Sequence, residues 1–406
     1  MKIVFYNHTG KVSGAERLLL SVLVRLDGSE FERVMVCPGD GPLAELAAGT
    51  GMTVQSVRDL EARFTWRPGA LIRYCKSFWE VIRDFRRKVV ELNADLIHAN
   101  SIRAGLVATA ATVGLKLKVV WHLHDLLPRH PLSTAIRTFA AMSKRSRMIA
   151  VSQAVGKNFC GHLSGLLKKR TVVILNAIDL NTFAVPDNRN AIRSSLSLAK
   201  DDFAIGIVGQ LTPRKGQLEL LAAFAKLSRT VPQAVLVIAG AAIFNRDHEY
   251  EQMLRTTVER LGLSGRVRML GARQDVPEIM RALDLLVVNS RREPFGLVAC
   301  EAMAGGTPVL ATASDGLPEI IDHQRNGWLV PFGDQQKLVE ALAFLNERPD
   351  VRKTLAGVAR QDVAQRFSLE RYLNELKAFY QTMYDVNSAA APVSRLGPAP
   401  STHFAQ

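Results

Sequence analysis

Residues 203–225 read FAIGIVGQLTPRKGQLELLAAFA, and their reading decides the fold. FAIGIV is an uninterrupted run of strand length, GQLTPRKG is a polar turn punctuated by glycine, and QLELLAAFA places apolar residues at helical spacing. A strand followed at once by an amphipathic helix opens a parallel βαβ unit. This unit stands after a polar, turn-rich passage, AIDLNTFAVPDNRNAIRSSLSLAKDD (177–202), and one such series has already run before it. KIVFYN, ERVMVCP, ADLIHAN, KVVWHLHD, RMIAVS and TVVILN are the apolar runs of the first series, with helical patterns such as GAERLLLSVLVRL between them. AVLVIAG, RVRMLG, LDLLVVNS and TPVLAT continue the second. A restart after a linker predicts a second parallel sheet, so the expected fold is α/β with two Rossmann-like, doubly wound domains. The expected domains are residues 1–185 and 195–365, followed by a helix over 366–386. The tail 387–406 has the Pro, Ala and Ser content of a disordered end.

The composition agrees with two domains, because 406 residues at 48% hydrophobic content exceed one ordinary core. The four cysteines, Cys37, Cys75, Cys160 and Cys300, have no metal-ligand or disulfide-framework spacing. The opening MKIVFYNHTG is too short for a secretory apolar region, and no apolar run reaches the roughly 18 residues of a membrane span. A cytoplasmic location is therefore expected. The net charge of +14 fits a phosphorylated substrate, a nucleic acid or an anionic membrane. No nucleic-acid module signature is present, which argues against the second. Between Arg63 and Arg87, seven basic residues are interleaved with Phe64, Trp66, Tyr74, Phe78, Trp79 and Phe85. That mixture suits peripheral contact with an anionic membrane; it equally suits a solvated charged face over ordinary core aromatics.

Open parallel sheets bind ligands beyond the carboxyl ends of their strands, so the residues there are the candidates. NHTGKVSGAER follows the first strand and sets Gly14 at a helix mouth, where bare amides can approach an anion or a turn is simply shaped. No GxGxxG follows that strand, which argues against a dinucleotide fingerprint. After FAIGIV, Arg214 and Lys215 place two cations at a strand exit, as a diphosphate requires, although this is not a Walker A loop. After LDLLVVNS comes RREPFGLVACEAMA, a connection and a helix beginning near Gly296. The amides of Phe295, Gly296 and Leu297 would face a phosphate there. Glu293 lies before this helix and Glu301 more than a turn inside it, so the two carboxylates could take hydroxyls on either side of that phosphate. A sugar nucleotide has this layout, and a vicinal ribose diol matches a bidentate acceptor.

The Glu293 to Glu301 spacing resembles the EX7E motif of retaining glycosyltransferases of family 4, which have the two-Rossmann GT-B fold. SGAER, DLIHAN, WHLHD, IAVSQAV, VILNAIDLNTF, VGQLTPRKG, LVIAG, LGARQDVPEIMRALDLLVVNSRREPFGLVACEAMAGGTPVLAT, GLPEII and NGWLVPFGD follow one another in that family's order. The resemblance implies a GT-B fold with a central cleft and a final helix crossing back to the first domain. It implies that Glu293 holds hydroxyls of the donor sugar, Glu301 the ribose, Lys215 and Arg214 the diphosphate, and that Gly14 lies near donor phosphate and acceptor. His124 would correspond to the histidine facing the donor sugar, and His98 would be an acceptor-side candidate. Alternation sets His122 opposite Trp121 and Leu123, into the sheet.

The implied reaction moves a sugar with retention from a UDP- or GDP-sugar to a glycan or lipid-linked acceptor, in cell-surface polysaccharide or glycolipid synthesis. No cofactor or metal is expected. Three positions depart from the family: Gln210 stands where arginine is common, Ala177 where glycine is usual and Asp315 where a second glycine is common. The rival is a non-catalytic scaffold of the same fold that binds lipid or polysaccharide. Intact Glu293, Glu301, Lys215 and His124 speak against it.

Overall fold

A computed structural model describes residues 1–60, 68–183, 188–242 and 245–384. The expected basic residues Arg63 and Arg67, with Phe64 and Trp66, and the tail 387–406 lie outside these described residues. The contacts divide the described residues into two compact units: one holds Met1–Asn176 and residues 370–384, the other Ala177–Leu369.

The first unit is a seven-stranded sheet in the order β3-β2-β1-β4-β5-β6-β7. Its strands are β1 (Lys2–Tyr6), β2 (Glu32–Pro38), β3 (Thr53–Val57), β4 (Leu96–Ala99), β5 (Lys118–Leu123), β6 (Ser146–Ala150) and β7 (Thr171–Val173). Every pairing is parallel. Parallel strands need crossovers, and helices on both faces bury them, which explains the near-continuous apolar runs of the sequence. The order reverses between β1 and β4, so a crevice is expected beyond Tyr6 and Ala99, which sit side by side in the register.

The second unit repeats the plan with six strands in the order β10-β9-β8-β11-β12-β13. They are β8 (Phe203–Val208), β9 (Ala234–Ala239), β10 (Val267–Gly271), β11 (Leu285–Val288), β12 (Val309–Thr312) and β13 (Trp328–Val330). Here the reversal lies between β8 and β11. The two stretches that leave this switch point are Gly209–Gly216 and Asn289–Gly296, which carry the cations and the first carboxylate read from the sequence. Two Rossmann-like domains of this kind are the parts of the GT-B fold.

Two helices of the first unit bear on function. The helix Pro68–Glu91 buries Val81, Phe85 and Val89 and stacks Phe85 on Tyr6 at 4.1 Å between ring centres. Its Arg86 donates to the carbonyls of Ala111 (2.6 Å) and Val113 (2.8 Å), capping the end of the neighbouring helix Ile102–Ala111. The opposite stripe is exposed: Ile72, Trp79 and Val90 are 72%, 62% and 57% accessible, and Lys76, Arg83 and Arg87 lie among them. The aromatics are thus divided: Phe85 is core and Trp79 is surface.

The helix Leu369–Tyr384 packs on the first unit from Glu370 on. Its Arg371 donates to the carbonyl of Leu175 (2.6 Å), Tyr372 stacks on His122, and the Tyr380 hydroxyl meets His98 Nδ1 at 2.8 Å. No helix among the described residues is long and apolar enough to cross a membrane.

Candidate functional site

In the second unit the site is built where strand ends are forced together. Gly240, leaving β9, has φ +147°, and a Cβ there would lie 1.8 Å from the carbonyl oxygen of Gly209. Gly216 ends the turn Pro213–Lys215 at φ +70° and begins the helix Gln217–Leu227; a Cβ on it would strike the Asn289 carbonyl at 2.1 Å. Only glycine allows both the conformation and the approach. Asn289 closes the junction by donating from Nδ2 to the Gly216 carbonyl (2.8 Å), so the turn after β8 is fastened to the turn after β11.

That junction sets Lys215 Nζ 2.7 Å from Glu293 Oε2, with the Ser290 hydroxyl donating to the same oxygen at 2.7 Å. Both charged side chains are largely buried, 15% and 9% exposed. Burial, the largest single influence, would raise the Glu293 carboxyl; the charges of Lys215 and Arg214 and the hydrogen bonds from Lys215 and Ser290 together outweigh it and hold the carboxyl below its ordinary value. Glu293 is therefore an ionised acceptor at neutral pH. Arg214 is exposed and donates to the Arg292 carbonyl (3.0 Å), leaving its charge at the mouth of the junction. Gln210, where a cation is common, donates instead to buried Asp247 (2.6 Å).

Gly296 is the N-cap of the helix Leu297–Ala304. Phe295 is buried against Phe367, with ring centres 5.7 Å apart. The first amides of this helix cannot be paired by a preceding turn, so they remain the anion-seeking end of the element. Glu301 is half-buried on the same helix.

In the first unit the candidate His124 is held by a chain of amides leaving β1, β4 and β5. His124 Nε2 lies 3.1 Å from Asn100 Oδ1, Asn100 Nδ2 donates to Asn7 Oδ1 (3.1 Å), and Asn7 Nδ2 donates to the Thr9 carbonyl (2.7 Å). A carbonyl can only accept, so the last bond fixes the orientation of both amides in turn. His124 must then carry its proton on Nε2, and Nδ1 keeps the lone pair. Burial pushes this imidazole down to about 3, so it is neutral. Gly14 is exposed at the start of its helix, capped by Ser13 and Glu16.

His98, expected on the acceptor side, is 1% exposed. Its ring lies between the Tyr380 hydroxyl and His122 Nδ1 (3.2 Å), as a core group that docks the last helix. His98 sits mid-sheet in β4 between Phe5 and Val120. His122 is buried too, as expected.

The model described as "Glycosyltransferase Family 4" matches residues 12–182, and "Glycosyl transferases group 1" matches residues 188–362. The D-inositol 3-phosphate glycosyltransferase of Corynebacterium urealyticum is 34% identical over 316 residues, 72% of each chain. The chain belongs to glycosyltransferase family 4.

Other proteins are similar to the chain over different lengths. The corresponding enzyme of Saccharomonospora viridis is 36% identical over 210 residues, 50% of this chain and 48% of that relative. The chain thus spans about half the length of that curated relative. A UDP-galactose-dependent galactosyltransferase of Escherichia coli acting on a GlcNAc-diphosphoundecaprenol is 23% identical over 92% of this chain and 94% of its own. Among solved structures, Anabaena HepE in complex with UDP-glucose is similar at TM-score 0.81 and 29% identity, covering 94% of this chain and 100% of HepE.

Several groups of the candidate site were not singled out as functional in the sequence. Ser290, Asn7 and Asn100 are polar residues just past strand ends, the general signal for such sites, but nothing in their spacing tells which neighbour each one bonds. Asn7 and Asn100 act as a pair 93 residues apart.

Proposed function

We propose that this family 4 member is a retaining glycosyltransferase that moves a sugar from a UDP-sugar to a glycan or lipid-linked acceptor. The observation that carries the reading is the Lys215–Glu293 pair, 2.7 Å apart and largely buried at the switch point of the second sheet. A pair so placed serves a ligand with a charged part and a hydroxylated part: the ammonium turns to the diphosphate and the carboxylate to sugar hydroxyls. UDP is favoured over GDP because the similar HepE structures hold UDP and UDP-glucose.

In this reading the bond from the anomeric carbon to the phosphate oxygen breaks, and the acceptor oxygen bonds to the same face of the sugar. The acceptor proton passes to the departing phosphate oxygen, and the nucleoside diphosphate leaves. Lys215, Arg214 and the amides of Phe295, Gly296 and Leu297 meet the growing negative charge. No metal ion is called on, so turnover should survive EDTA. Glu301 takes the ribose hydroxyls, and in the first unit the helix start at Gly14 and Nδ1 of neutral His124 are the groups offered to substrate.

A thermal-shift screen against UDP, GDP and their sugars, with the anomeric configuration of the product read by NMR, tests the proposal. Stabilisation by UDP and an unchanged configuration are expected. A flat melting profile with every nucleotide would overturn the donor site, and an inverted product would overturn retention alone.

We also propose that the exposed stripe Ile72, Lys76, Trp79, Arg83, Arg87 and Val90 rests on an anionic membrane, bringing the protein to a lipid-linked acceptor at the inner face of the cell membrane. Apolar anchors among basic groups are what such a surface binds.

A further inference from the structure

Glu293 is fixed from three directions. Its carboxylate is held by Lys215 and Ser290. Its carbonyl accepts the Gly316 N–H at 2.9 Å. Its own N–H donates to Asp315 Oδ2 at 3.1 Å. The same Asp315 oxygen lies 3.5 Å from Arg292 Nε. Asp315 therefore grips the Arg292 side chain and the Glu293 N–H, while the Gly316 N–H holds the carbonyl of the next peptide, Glu293–Pro294.

This grip is made from an uncommon backbone. Asp315 has φ +45°, a region that glycine enters freely and that costs other residues about 1 kcal/mol or more. Glycine would hold the turn equally well, yet it could not accept the Glu293 amide. Thr312 adds a further stitch by donating to the Ser290 carbonyl at 2.7 Å. The turn after β12 is thus a backing plate for the turn after β11.

We propose that Asp315 is a positioning residue for Glu293, needed when donor is bound. The inference rests on the reading of Glu293 as the residue that holds the donor sugar. A diphosphate that engages Lys215 removes one of the two partners of the Glu293 carboxylate. The backbone grip of Asp315 and Gly316 then sets where that carboxylate stands. A shift of a few tenths of an ångström there misplaces the anomeric carbon without touching the nucleotide.

The experiment compares D315G, D315N and E293A with the parent. It follows nucleoside diphosphate release from UDP-glucose, UDP-galactose, UDP-N-acetylglucosamine and GDP-mannose, and melting with UDP or GDP. D315G is expected to melt within a few degrees of the parent and to keep its nucleotide shift, while kcat falls about tenfold. D315N restores an uncharged acceptor and should return kcat to within about threefold of the parent. In the E293A background, D315G should cause no further loss.

Parental kcat in D315G overturns the positioning role, as does a D315N variant no better than D315G. If E293A turns over as the parent does, or the parent neither binds nor uses any of the nucleotides and sugars, the donor-site reading falls first and the proposal falls with it. An inactive E293A beside a fully active D315G rejects the proposal alone.

Discussion

Lys215 and Glu293 are read most sharply by substitution. Lys215→Met leaves a carboxylate largely buried and unpaired, and removing one partner of such a pair costs about 3–5 kcal/mol. The sign with pH follows from the depressed carboxyl. The stabilisation is fully present above 4.5, the ordinary value, and is lost as the pH falls through the lower value of the folded state. The gap in urea midpoint between parent and Lys215→Met should therefore be wide at pH 7 and narrow in acid. An equal gap at both would show that the pair does not hold the carboxyl down. Glu301→Ala should weaken nucleotide binding, whereas Glu293→Ala should mainly slow turnover; full activity in both would remove the pair from the donor site. Asn100→Leu leaves His124 Nε2–H without its acceptor and should reduce turnover with little change in nucleotide affinity, measured by steady-state kinetics beside calorimetry.

At the scale of elements, the helix Pro68–Glu91 is two surfaces. Phe85→Ala empties a core position stacked on Tyr6 and should cost about 3–5 kcal/mol in chemical denaturation. Trp79→Glu changes an exposed group and should leave that stability within about 0.5 kcal/mol, while lowering sedimentation with anionic liposomes at low salt. Equal liposome binding by the parent and Trp79→Glu would detach the stripe from any membrane role. The sequence could not apportion the aromatics because Trp79 and Phe85 are six residues apart, and only the position of Tyr6 fixes which face is core. It also passed over β3 and β13. TVQSV at β3 is a polar edge strand with little to bury, and WLV at β13 has three residues, too few for any period to show.

At the scale of the molecule, the last helix is tied to the first unit through histidines that burial keeps neutral. Burial pushes His98 and His124 down to about 3 and His122 well below 6.5; neighbouring histidines lower His98 and His122 further. The unfolded chain takes up protons below 6.5 while the folded one does not, so stability should fall as the pH drops from 6.5 toward 3. Urea midpoints at pH 7 and pH 5 check this. Tyr380→Phe removes the hydroxyl on His98 and should destabilise by about 1 kcal/mol at neutral pH.

The sequence by itself determined the two parallel sheets and the stretches that leave them, because buried parallel strands must be continuously apolar and their exits must be polar turns or helix starts. It placed Lys215, Glu293 and His124 in those exits for the same reason. Tertiary structure alone decided that Lys215 meets Glu293, that Asn7 and Asn100 set the His124 proton, that His98 is core, and that Asp315 holds the Glu293 amide. Each of those needs a bond between side chains or backbone groups 22 or more residues apart, as Asp315 and Glu293 are. Periodicity reports how a segment meets its surroundings, whereas a partner brought in by another strand leaves no mark on the local pattern.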